Sequence, residues 1–153
     1  MKRLLLLTLP LMIAAPSFGG TCPSARQIFL ETFGKGAFQR ITRVADLPSA
    51  VRELYSSKEG TAAMADAGQP FAAGCVGGPG QPHMRLITGG FKQPYSFVFF
   101  ESGGIALFDQ LKVYELSNNK AIEIWSYTAR PMPKGPSWEE LINQLNKENP
   151  RSR

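Results

Sequence analysis

The chain has 153 residues, with 17 Lys and Arg against 12 Asp and Glu, one His and two Cys. That length holds one compact domain with a short extension, and 43% hydrophobic against 19% charged residues excludes a wholly disordered chain. One His and two Cys cannot furnish the four protein ligands of a structural zinc site, nor the three His of a catalytic one.

Residues 1–19 read as a leader for export. Lys2 and Arg3 precede a mostly apolar run, residues 4–15, interrupted by Pro10. A membrane-spanning helix needs about 20 apolar residues, so a cleaved signal peptide is the stronger reading. Ser17 and Gly19 flank Phe18 in the small-x-small pattern that signal peptidases accept, and the short Leu-rich form is bacterial in type. Cys22 follows Gly19-Gly20-Thr21, which lacks both the aliphatic residue and the small residue of a lipobox. No membrane anchor is therefore expected after cleavage. The expected location is the periplasm or the medium.

Loss of Lys2 and Arg3 lowers the net charge from +5 to +3, and Arg151 and Arg153 sit at the far end. No basic stripe of phosphate-contacting residues remains, which argues against nucleic acid. Cys22 and Cys75 are 53 positions apart and lack the C-x-x-C spacing of a redox pair. In an exported chain they read as one structural disulfide, worth about 4 kcal/mol in the chain-entropy model.

Ser24 caps a helix whose apolar face is Ala25, Ile28, Phe29 and Phe33, and Gly34-Lys35-Gly36 ends it. Residues 38–44 read weakly as a strand. Asp46 is the expected N-cap of a short helix over 47–57, with Pro48 in its first turn. Residues 56–82 are irregular, with six Gly and three Pro, and residues 62–67 supply a helical turn within them. A loop of that length either carries function or is a tethered connection, and tethering is preferred.

From Arg85 the pattern becomes β. Residues 85–88 form a short run punctuated by Gly89-Gly90 and Gln93-Pro94, and residues 95–100 form an aromatic strand. Ser102-Gly103-Gly104 makes a hairpin turn into a strand over 105–116, and Asn118-Asn119 makes a second into 121–128. If Asn118-Asn119 is a two-residue loop, Val113 lies opposite Ile124 and Glu115 opposite Ile122. Lys112 then faces Trp125, Tyr114 faces Glu123, and Gln110 faces Tyr127. Leu111, Val113, Ile122 and Ile124 then form the face buried against helices. Lys112, Tyr114, Trp125 and Tyr127 form an amphipathic outer face, with Lys112 over the Trp125 ring, and this is the candidate binding face. The Pro-rich stretch 129–136 crosses to a last helix. There Ser137-x-x-Glu140 is a capping box, and Trp138, Leu141, Ile142 and Leu145 make an apolar stripe. Residues 148–153 form a frayed tail.

The expected architecture is thus α+β: one domain over 20–147 holding a four- to five-stranded antiparallel meander, its N-terminal and C-terminal helices on one face. Chemistry is hard to place on it. His83 is the one imidazole, and G-x-S-x-G is absent. Glu101, Asp109, Glu115 and Glu123 lie on the expected sheet, where carboxylates are routine. Asp109 interrupts the apolar series Ile105, Leu107, Leu111, Val113 and is expected to turn outward on a bulge. Residues 74–80 are Gly-rich but lack the G-K-[ST] of a phosphate loop. No cofactor, metal or catalytic residue is assigned. The leading reading is a small exported binding protein with another envelope protein or a ligand as partner, of inhibitor or immunity type. The rival is a small secreted hydrolase using carboxylates or His83. A third reading is a carrier with a cavity lined by Phe97, Phe99 and Phe108.

Overall fold

In the computed structural model, the residues described are 23–56, 64–74, 77–78, 80–129 and 137–148. The leader, Cys22, Cys75, the Pro-rich stretch 130–136 and the tail beyond 148 lie outside them, so the disulfide reading does too.

Ser24 accepts a hydrogen bond from the Gln27 amide and starts helix α1, Ala25–Phe29, which continues through one wide turn, Leu30–Gly34. Strand β1 is Gln39–Ile41, and a single tight turn, Val44–Asp46, precedes helix α2, Ser49–Leu54. Asp46 is not the cap of α2. Its carboxylate accepts from Arg43 Nε and Nη2 at 2.8 and 2.9 Å, and Pro48 occupies the cap position. The helical turn expected over 62–67 is replaced, where described, by strand β2, Met64–Ala65.

Strands β3 (Met84–Lys92), β4 (Tyr95–Ser102), β5 (Phe108–Ser117) and β6 (Lys120–Ala129) form the expected antiparallel meander. The sheet order is β1-β3-β4-β5-β6, with β2 added in parallel on the β3 edge. Gly89-Gly90 does not break β3. The strand runs through both glycines to a turn at Gln93-Pro94, and position 90 is glycine because Phe97 and Phe38 occupy the space that a side chain there would need. Asn118 and Asn119 both take positive φ, the conformation of a two-residue hairpin turn that matches strand twist.

Each face of the sheet is covered. Alternation along β4 sends Phe97 and Phe99 to one side and Val98 and Phe100 to the other, and all four are buried. On the first face Phe29 and Phe33 of the N-terminal helix meet Leu111 and Val113, joined by Leu141 and Leu145 of helix α3, Trp138–Lys147. Ser137 Oγ accepts from the Glu140 amide at 3.1 Å, and Trp138 stacks on Phe97 at 4.8 Å. The α+β fold and its two terminal helices on one face are therefore as the sequence predicts. The second face, which the sequence predicts to be an amphipathic outer face, is covered instead: Leu47, Val51 and Tyr55 around α2 seal Leu86, Val98, Phe100 and Tyr114 beneath them. Phe97 and Phe99 are packed inside the first layer, while Phe108 sits half-exposed at the end of β5 and alternates to the other side, so the three do not line a cavity.

Candidate functional site

The β5–β6 register divides the expected binding face. Glu115 pairs with Ile122 and Tyr114 with Glu123, as counted from the Asn118-Asn119 turn. The pairing then slips by one, so Val113 lies opposite Trp125, Lys112 opposite Ser126, Leu111 opposite Tyr127 and Gln110 opposite Thr128. Ile124 is the extra residue of a bulge, and every side chain beyond it changes sides. Trp125 and Tyr127 thereby join the helical layer, with Trp125 against Phe29. Tyr127 donates to Glu148 Oε1 at 3.1 Å. Lys112 lies on the opposite face and pairs with Glu123 at 2.9 Å, not over the Trp125 ring. Tyr114 is only 2% exposed and shares a 2.7 Å hydroxyl–hydroxyl hydrogen bond with Tyr55. Burial is the main cause that pushes Tyr114 up to about 12 and Tyr55 higher still.

The same arithmetic operates in the other hairpin, with a different result. Counting back from Gln93-Pro94 would set Arg85 opposite Ser102. A bulge at Ile87 moves the partner to Glu101. Glu101 in turn lies opposite Asp109, and Asp109 opposite Ala129. One transverse row thus brings a cation and two carboxylates together on three adjacent strands. Glu101 is 4% exposed, and its Oε2 accepts from Arg85 Nε at 2.7 Å and Nη2 at 2.5 Å. The Arg85 guanidinium also lies over the Phe71 ring, 4.5 Å from its centroid. No bulge turns Asp109 outward, because the β4–β5 ladder is regular along its whole length. Asp109 stays on the side of Leu111 and Val113, half-buried. Burial first, and the Glu101 charge second, push its carboxyl above the ordinary Asp range.

This row forms the root of the β4–β5 loop. Gly103 N donates to the His83 carbonyl at 2.7 Å and Gly104 N to the Ala73 carbonyl at 3.3 Å, tying the loop to the 71–74 segment. A Cβ at Gly103 would lie 2.1 Å from the Ala72 carbonyl oxygen, so only glycine allows that approach. Beyond the glycines the expected strand residues Ile105 and Leu107 are loop instead. Ile105 is 99% exposed, and Leu107 and Phe108 are each 50% exposed. His83 lends its backbone here, while its side chain is exposed and makes no ion pair with a carboxylate among the described residues.

Chemically, the Glu101 carboxylate is committed to Arg85, and Asp109 is the group of the row disposed to carry a proton. No three His, Cys, Asp or Glu among the described residues gather as metal ligands. At the opposite end of the sheet a shallow depression of about 270 Å³ lies between Pro48–Ala50 and the Asn118-Asn119 turn, lined by neutral polar and apolar side chains, Leu116 among them, and by Lys120. No helix among the described residues is long and apolar enough to cross a membrane.

Arg85 and the exposed loop escape a sequence reading for one reason. Both depend on where β3 and β5 start and slip, which alternation alone does not fix. The chain matches no family model, no curated protein and no solved structure.

Proposed function

We propose that the mature chain is a non-enzymatic binding protein of the bacterial envelope that holds another protein through its β4–β5 loop. The observation that carries this reading is the run Ile105-Ala106-Leu107-Phe108, exposed throughout, on a loop tied down at Gly103 and Gly104 and on the first residue of β5. Among the described residues Leu54 and Ile122 are exposed singly, whereas these apolar side chains are adjacent, and such patches mark contact surfaces. Anchoring the glycines lowers the entropy to be lost on docking. The leader and the two cysteines supply the envelope context.

The test is capture from an envelope fraction by the immobilised mature protein, run beside the I105S/L107S double variant. A protein retained by the wild type and lost by the variant, at unchanged melting temperature, supports the reading. Retention of nothing, or equal retention by both, overturns it. The paired Glu101 and Asp109 favour a second reading, a carboxylate hydrolase acting on cell-wall or sugar material. Turnover of such material by the wild type and its loss in D109N would replace the first reading with the second.

A further inference from the structure

The Arg85, Glu101 and Asp109 row has a charge imbalance at a mechanically sensitive place. Directly opposed residues of an antiparallel pair hold their Cβ atoms about 5 Å apart, and like charges there repel. Glu101 is neutralised by Arg85, whereas no cation pairs with Asp109 among the described residues. Its other cross-strand neighbour is Ala129. The helical layer brings Arg26 and Glu148 to the same face. They are engaged one row further along, where Arg26 donates to the Leu145 and Glu148 carbonyls and Glu148 accepts from Tyr127. Lys147 and His83 are exposed. Among the described residues Asp109 therefore answers to one neighbouring charge, that of Glu101. Only the Ser102–Phe108 pair separates the two carboxylates from the loop.

We propose that Glu101 and Asp109 form an acid-operated clasp at the root of the β4–β5 loop, repelling each other when both are ionised and joined by a hydrogen bond when Asp109 takes a proton from solvent. In the protonated state the Asp109 O–H donates to the Glu101 carboxylate, which keeps its bond to Arg85. The raised proton affinity of Asp109 agrees with this geometry. The sign follows from linkage: the folded chain binds the proton more tightly than the unfolded one, so the loop root tightens as pH falls and loosens as pH rises through the Asp109 value. The clasp is set by the hairpin geometry and operates with or without a docking partner.

The test uses the partner-free mature protein. Carbon-13 NMR follows the Asp109 carboxyl through a pH titration, and amide exchange at Gly103 and Gly104, corrected for intrinsic rates, follows the loop root. The expected result is titration above the ordinary Asp range, with protection rising about tenfold for each unit by which that value is raised. D109N should hold protection constant across the same range. Titration of Asp109 at or below its ordinary value overturns the clasp, and so does an equal pH response of the two glycines in D109N. The wild-type titration stands alone if D109N fails to fold.

Discussion

Tyr55 and Tyr114 each bury a hydroxyl whose partner is the other hydroxyl, on a face otherwise filled by Val51, Leu86, Val98 and Phe100. A buried pair of this kind is asymmetric in its energetics. Deleting one member strands the other in an apolar layer, at about 1–3 kcal/mol, whereas deleting both leaves nothing unsatisfied. Y55F and Y114F are therefore each expected to destabilise the fold by about that amount. The double variant should lose less than the sum of the two, and urea unfolding of the four proteins closes the cycle. Equal, additive losses would mean that water reaches one of the hydroxyls. Gly90 illustrates a different constraint at the same scale. An added Cβ there would lie 2.1 Å from the Phe97 ring, so the residue is glycine because of a neighbour in space. Its neighbours in sequence suggest a turn, and the strand continues regardless.

Helix α3 is the element most fully written in its own residues. The Ser137 cap, the acidic first turn of Glu139 and Glu140, and the Trp138, Leu141, Ile142, Leu145 stripe all act within one or two turns of the chain. S137A should cost about 1 kcal/mol, read as a lowered denaturation midpoint with unchanged slope. The Ser24 cap and the Asn118-Asn119 turn were legible for the same reason: the groups that decide them lie three residues apart or fewer. The sheet was legible in its order and not in its register. Ile87 and Ile124 each add one residue to one strand, and nothing local distinguishes a bulged isoleucine from a paired one. The trace is a break in alternation at Leu86-Ile87 and at Ile124-Trp125, each two apolar neighbours in a strand, a pattern that the regularly paired β4 shows as well. Those two slips decide the candidate site. One brings Arg85 to Glu101, and the other sends Trp125 and Tyr127 into the helical layer. Asp46 failed as a cap through competition, since Arg43, three residues away, offers it two charge-assisted bonds.

For the whole molecule the decisive feature is that β4 is buried from both sides. Phe97 and Phe99 belong to the layer under α1 and α3, and Val98 and Phe100 to the layer under α2. The two layers therefore cannot separate without exposing the same strand, and they should unfold in one cooperative step. The edges are held differently. Strand β2 contributes two residues in parallel to β3, and β1 contributes three at the other end of that edge. Local opening there breaks few ladder bonds and uncovers only Ile41 and Met64 of the α2 layer, so its free energy lies below the global value. Amide hydrogen exchange under native conditions is expected to separate the two classes. The amides at 97–100 should exchange only through global unfolding, with a free energy matching that from denaturant titration. Those at 39–41 and 64–65 should exchange through smaller openings insensitive to low denaturant. Exchange at Phe97 and Phe99 well before Val98 and Phe100 would mean that the helical layer lifts independently of the α2 layer. The ladder makes that outcome unfavourable, because consecutive residues of one strand share their hydrogen bonds with β3 and β5 on either side.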